Sequence, residues 1–226
     1  MSYKAVLFDL DGTVMDTSEG ILISLKETIE KFGLEVLPDE ELRKFIGPPI
    51  EWSFESHYGV TGQEQKDIVA CFRDRYSNHN LLHASVYDGV FEFMDALRRR
   101  GVKIGIATYK KEDYALKLLR AFEVDKKCDA IHGSHYDIKE TKADIIVKCL
   151  GELGITDRKD VLMVGDSKHD AMGANNLGID FAGVSFGFGF ESGQEGENID
   201  EYEHVAYTDY MLDLISLFED KEDLEK

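Results

Sequence analysis

From Val86 onward the chain alternates short apolar runs with helix-patterned stretches of ten or so residues, and this rhythm constrains the fold more than any other feature. Apolar runs at 102–107, 130–133, 161–164 and 181–184 read as buried strands, with 204–206 as a further candidate. Helical patterns lie between them at about 112–122, 141–150 and 169–177. Parallel neighbours cannot be joined by a tight turn and need a crossover of this length, so the alternation predicts an α/β fold around a parallel sheet. Ligands of such sheets bind beyond the carboxyl ends of the strands, so the residues just past each run are the ones to inspect.

The run 4–8 looks like a strand of the same sheet, but the chain beyond it has a different character. Asp16, Thr17 and Ser18 offer N-caps for a helix with Ile21, Leu25, Ile29 and Phe32 on its inner face, ending at Gly33. From Pro38 to Tyr76 only helical patterns occur. Leu42, Phe45 and Ile46 precede a break at Gly47-Pro48-Pro49, then 50–58 reads as a helix. Thr61 with Glu64 has the spacing of a capping box for one carrying Ile68, Phe72 and Tyr76. Asp88 is placed to cap the returning helix, with Phe91, Met94 and Leu97 inward and a stop at Gly101. The expected organisation is a Rossmann-like α/β core from 1–15 and 85–226, with an all-helical domain, 16–84, inserted after the first strand.

Several strand ends carry polar chemistry. The first runs Val6-Leu7-Phe8-Asp9-Leu10-Asp11-Gly12-Thr13, and residues two apart share a face while a chain is extended, so Asp9 and Asp11 can aim at one point. Two crowded acids are costly unless a cation neutralises them, and a hard divalent ion such as Mg²⁺ suits the purpose. An Asx turn after a strand is the plainer alternative. The strand at 102–107 ends in Thr108, which on its own reads as a helix cap. Lys142 opens a helix, where the macrodipole disfavours a cation unless an anion is near. The strand at 161–164 runs into Gly165-Asp166, with Asp170 one helical turn on. Taken alone, Asp166 could be an N-cap and Asp170 a solvated helix residue.

Composition narrows the partners. The chain holds 26 basic and 45 acidic residues, a formal charge of −19, which argues against nucleic acid. A small anionic substrate would need a metal ion or a local lysine. Cys71, Cys128 and Cys149 are odd in number and widely spaced, which suits a reducing compartment. No segment approaches the ~18 apolar residues of a membrane span, nor has the N-terminus a signal-peptide pattern, so a cytoplasmic protein is expected. His79, His83, His132 and His135, the latter two flanking a turn, lack the spacing of a zinc site. The acidic run 191–203 reads as a solvated loop and 219–226 as a fraying tail. The aromatic, glycine-rich stretch 186–190 reads either as a wall of the site or as a mobile covering loop. Nothing in the pattern specifies an oligomeric state.

The ordered set Asp9-x-Asp11-Gly12-Thr13, Thr108, Lys142 and Gly165-Asp166-x-x-x-Asp170 resembles the haloacid dehalogenase-like superfamily of phosphotransferases. The helical insert, Gly47-Pro48-Pro49, the stretch Ala107-Thr108-Tyr109-Lys110 and Gly133-Ser134 look like its phosphoglycolate phosphatase-like subfamily, whose small helical cap occupies this position. Tyr109 departs from the pattern, standing where a small polar residue is commoner. Lys111 and Asp88 stand where prolines are frequent.

The resemblance implies a phosphomonoester hydrolase acting on a small phosphorylated metabolite. Asp9 would be the nucleophile that becomes an aspartyl-phosphate, and Asp11 the acid and base. Thr108 and Lys142 would bind the transferring phosphoryl group. Mg²⁺ would be held by the Asp9 carboxylate, the Asp11 carbonyl and Asp166, with Asp170 close by or acting through water. Asp11 favours hydrolysis of a phosphate ester, since dehalogenating relatives lack that acid and transport ATPases have threonine there. The alternatives are a phosphomutase of the β-phosphoglucomutase type and, from another class, a phosphoacceptor or non-catalytic binding protein.

Overall fold

The computed structural model describes residues 3–47, 49–135, 140–190 and 198–218. In chain order the strands are β1 (Ala5–Phe8), β2 (Met15–Asp16), β3 (Ser85–Val86), β4 (Lys103–Lys111), β5 (Ala130–Ser134), β6 (Val161–Gly165), β7 (Asp180–Val184) and β8 (Ala206–Thr208). The α-helices are α1 (Ser18–Lys31), α2 (Asp39–Arg43), α3 (Ile50–Tyr58), α4 (Gly62–Arg75), α5 (Val90–Arg99), α6 (Glu112–Ala121), α7 (Lys142–Leu153) and α8 (Lys168–Asn175). The chain divides into two compact units, 1–15 with 86–226, and 16–85. It crosses between them within β2 and β3, which pair as a two-stranded sheet.

The larger unit contains the α/β parallel sheet that the alternation predicts. Its six strands lie in the order β5-β4-β1-β6-β7-β8, and every neighbouring pair is parallel. β1 is central, and all four of its residues are buried, as befits a strand covered on both faces. On one face Ile145, Ile146, Cys149, Leu150 and Leu153 of α7 join Ala5, Leu7 and Met163 in a single apolar core. Phe8 pairs with Ile106 of β4 on one side and with Val164 of β6 on the other. The carboxyl ends of β4, β1 and β6 therefore lie side by side, and Asp9, Thr108 and Gly165 all come within two residues of those rungs.

Some local expectations are corrected. β8 begins at Ala206, where the anticipated strand ended, because Ala182 to Val184 of β7 pair with Ala206 to Thr208. Gly89, not Asp88, occupies the N-cap of α5, and Phe93 rather than Phe91 is fully buried beside Val90, Met94 and Leu97. Those four positions follow the i, i+3, i+4, i+7 stripe that an inward face requires. His132 lies within β5 rather than beside a turn, and its Nε2 is 2.7 Å from a Glu152 carboxylate oxygen.

The smaller unit is helical. Leu22, Leu25 and Ile29 of α1 are buried, whereas Ile21 and Phe32 are only half-buried. The face is turned by Ser24 and Thr28, whose buried hydroxyls donate to the carbonyls of Gly20 and Ser24 one turn back, each at 2.7 Å. Phe45 meets Phe54 edge-on at 5.4 Å, and Ile68 and Phe72 of α4 are buried as anticipated. Thr61 is the N-cap of α4 without a side-chain cap bond, since Gly62 enters the helix at φ +63° and turns the chain out of capping-box geometry. Pro48 of the expected break, most of the acidic run at 191–203 and the tail at 219–226 fall outside the described residues.

Candidate active site

Three strand ends and two helix starts build the site. After β1 the chain closes a tight loop in which the Leu10 carbonyl accepts the N–H groups of Thr13, Val14 and Met15. Gly12 lies at φ +82°, and a Cβ there would come 2.3 Å from Asp166 Oδ2, so only glycine permits both the turn and the approach. Thr13, buried in this loop, donates its hydroxyl to Asp166 Oδ1 at 3.0 Å. The other Asp166 oxygen accepts the main-chain N–H of Phe188 at 2.7 Å and of Gly189 at 3.2 Å. The stretch 186–190 therefore walls Asp166 with its backbone.

Ser167, not Asp166, is the N-cap of α8. Its N–H and hydroxyl both donate to Asp170 Oδ2, at 3.1 and 2.7 Å, in a reciprocal capping box. Asp170 is thus turned inward and is 1% exposed, not solvated. At the start of α7, the Thr141–Asp144 capping box fixes Lys142 as the first helical residue. Lys142 is 3% exposed, and its stem lies close to Gly173 of α8, where a Cβ would stand 2.8 Å from its Cγ. Its ammonium donates to Asp9 Oδ1 at 2.5 Å and forms an ion pair with Asp170 Oδ1 at 2.6 Å. The anion that a cation at this helix start called for is this pair of carboxylates.

Asp9, Asp166 and Asp170 can each offer one oxygen within 4.8 Å of the others, and all three residues are buried. Burial pushes the Asp9 carboxyl up to about 7; Lys142 opposes the shift, and the charges of Asp170 and Asp11 add to it. Asp166 is raised well above the usual carboxylate range, first by burial and then by Asp170 and Asp9. Burial works against the Lys142 charge, but Asp170 and Asp9 outweigh it and hold the ammonium above the ordinary lysine value.

Asp11 stands apart from this cluster. Its carboxylate accepts both hydrogen bonds from Lys110, at 2.8 and 3.1 Å, and its side chain is 22% exposed against 6% for the lysine. Thr108 is buried within β4, two residues past its last rung with β1, and its hydroxyl accepts the Lys110 N–H at 3.1 Å, a local contact rather than a helix cap. Lys110 was given no role from sequence. No local pattern marks it, because β4 runs on past Thr108 to Lys111 with an irregular register against β5, so strict alternation does not hold there.

The donor set suits a hard divalent cation. Three buried carboxylates face one ammonium group here, a formal excess of two negative charges, and the upward shifts of Asp9 and Asp166 are the response of acids crowded without a further cation. Asp170 Oδ1 is buried and makes no directed hydrogen bond, although it lies in an ion pair with Lys142. Carboxylate oxygens clustered at this spacing are the ligands Mg²⁺ takes.

Residues 6–184 match the model of the haloacid dehalogenase-like hydrolase family. The chain is 34% identical over 218 residues to a 5′-nucleotidase from Pseudomonas aeruginosa, covering 96% of this chain and 95% of that one. It is 31% identical over 188 residues to the pyrophosphatase PpaX of Halalkalibacterium halodurans, covering 82% and 85%. Its fold superposes with a TM-score of 0.87 on a candidate phosphatase from Clostridium difficile, at 31% identity over 97% of this chain and 100% of that one. The acid-lined ends of a parallel sheet and the match along most of the chain lead to one assignment: this enzyme belongs to the haloacid dehalogenase-like hydrolase family.

Proposed function

We propose that this hydrolase is a Mg²⁺-dependent phosphatase of small phosphorylated metabolites, phosphoglycolate-like in size, working through an aspartyl-phosphate on Asp9. The observation that carries the reading is the separation of its acids. Asp9, Asp166 and Asp170 are gathered in a buried cluster bridged by Lys142, while Asp11, two residues from Asp9, is held aside by Lys110. Relatives named as a 5′-nucleotidase and a pyrophosphatase support release of phosphate over its transfer to a sugar.

In the first half-reaction an Asp9 oxygen attacks phosphorus and the bond to the ester oxygen breaks. Asp11 gives that oxygen a proton, so the product leaves as a neutral alcohol. In the second, Asp11 takes a proton from water as the water oxygen attacks phosphorus, and the acyl-phosphate bond breaks to restore the Asp9 carboxylate. Asp11 ends as it began. The Lys142 ammonium, already against Asp9, meets the charge spread over the phosphoryl oxygens, with the Thr108 hydroxyl as a second donor. Mg²⁺ would be held by Asp9, Asp166, Asp170 and the Asp11 carbonyl, and when bound it would offset repulsion between nucleophile and phosphate.

The helical unit is read as the cap, with 16–84 as its extent. The three cysteines are unpaired, which supports a cytoplasmic location. Among the described residues no helix is long and apolar enough to cross a membrane. Mg²⁺-dependent release of inorganic phosphate from p-nitrophenyl phosphate tests the reading. Release that persists undiminished in excess chelator, or in Asp9→Asn, would overturn it.

A further inference from the structure

Tyr109 links the elements of the site without belonging to the acid cluster. It comes directly after Thr108 within β4, and its phenol oxygen accepts the main-chain N–H of Lys142 at 2.7 Å. That N–H is among the first of α7, a donor with no partner inside its own helix. The ring also faces the Lys142 ammonium, 5.7 Å from centroid to Nζ, within the range of a cation–π attraction. The ring also meets His169, next to Asp170 in the chain, edge-on at 5.5 Å. One aromatic side chain thus touches β4, α7 and α8 together. A small polar residue here would have too little reach for the ring contacts.

We infer that Tyr109 is a positioning residue for Lys142, fixing the start of α7 through its hydroxyl and the direction of the ammonium through its ring. The inference rests on the phosphatase reading and adds to it a residue whose effect passes through Lys142. The Lys142 stem is already packed against Gly173 and its ammonium is held by Asp9 and Asp170, carboxylates that an entering metal ion and phosphate would compete for. The hydrogen bond at its main chain and the ring beside its charge are contacts independent of those carboxylates, and they keep the lysine in place when the carboxylates take up other partners.

The test uses the full chain with Mg²⁺, with turnover of p-nitrophenyl phosphate and its inhibition by orthovanadate as readouts. Tyr109→Phe keeps the ring and loses the hydrogen bond; we expect vanadate inhibition weakened about fivefold with a matching fall in kcat. Tyr109→Leu loses both contacts and should weaken inhibition by a further several-fold, while KM for Mg²⁺ stays within twofold. The deciding measurement is a cycle with Lys142→Gln. In that background Tyr109→Leu should change residual turnover by less than twofold, because the residue it positions is gone. Equal losses from Tyr109→Leu with and without Lys142 would overturn the inference, as would wild-type vanadate inhibition in both tyrosine variants. A wild-type chain that releases no phosphate under any Mg²⁺ concentration would instead sink the phosphatase reading itself. Thermal melts of each variant separate misfolding from mispositioning, and Tyr109→Phe, which conserves volume, remains interpretable if Tyr109→Leu melts early.

Discussion

The two lysine–carboxylate pairs of the site contain similar groups in different settings. Lys142 lies 3% exposed between Asp9 and Asp170, where burial raises the Asp9 carboxyl to about 7 and the two acids keep the lysine charged. Lys110 meets Asp11 nearer the surface, in a two-pronged pair. Charges in the inner pair are desolvated and therefore act strongly on whatever enters, whereas the outer pair leaves its carboxylate within reach of water. Under the proposed mechanism, two acids two residues apart at one strand end are in this way given separate work, one bonding to phosphorus and the other moving protons. The difference comes from depth and partner, since the residues themselves are the same.

The comparison can be broken from its inner side first. Asp9→Asn removes the proposed nucleophile and should lower phosphate release by about 10⁴-fold or more, so a variant within tenfold of wild type would place the nucleophile elsewhere. Asp11→Asn should cost about 10³-fold with a poor alkyl leaving group and much less with p-nitrophenol, which departs without a proton. Equal losses for both esters would deny Asp11 its proton-carrying role. Lys142→Ala should slow turnover about 10²-fold and, without metal, destabilise the fold by about 3 kcal/mol, because two buried carboxylates lose their shared cation. Denaturant titrations with and without Mg²⁺ measure the second effect, and Mg²⁺ should restore part of it.

Two smaller effects sharpen the outer side and the electrostatics. Lys110→Met should reduce turnover only about tenfold, again mostly for poor leaving groups; a loss as deep as that of Lys142→Ala would merge the two pairs into one machine. The smallest effect is on pH dependence. Asp9 binds its proton more tightly when folded, at about 7 against ~3.9 for a free aspartate. Between those values the folded chain holds more protons than the unfolded one, so metal-free stability is greatest at the acid end and declines as pH rises through 7. Asp166, also raised by burial, acts in the same direction. The metal-free melting temperature should fall by roughly 5 °C between pH 5 and 8, and saturating Mg²⁺ should flatten that slope. A melting temperature rising across this range would contradict the buried, proton-holding cluster.

Much of the fold was legible because its signals are local. β1, β6 and the helices α6 and α7 come from runs and periods that a window of ten residues contains, and the parallel sheet from their alternation. The misplacements have physical causes as well. The start of β8 depends on its register with β7, and the inner face of α1 includes Ser24 and Thr28, polar residues that can be buried because their hydroxyls bond to carbonyls one turn back. In the site, Asp9, Asp166, Asp170 and Lys142 were named from sequence and are brought into contact. Thr108 was named too, but its hydroxyl is engaged with Lys110, and Asp11 stands outside the carboxylate cluster. Lys110 and Tyr109 were visible as residues without a role, because neither belongs to a pattern that its own neighbours reveal.

By itself, then, the sequence determined which strand ends would carry acids and that Asp9 and Asp11 would leave β1 two residues apart. Only the tertiary structure decided which cation each acid meets. Lys142 reaches Asp9 across 133 positions of chain and Lys110 reaches Asp11 across 99, distances over which no local periodicity carries information. Those meetings are set by the strand order β4-β1-β6 and by the register that aligns Phe8 with Ile106 and Val164, together with the burial that comes from packing α7 and α8 against the sheet. The charge and reach of each side chain are properties of the residue, whereas its partner and its dielectric surroundings belong to the fold.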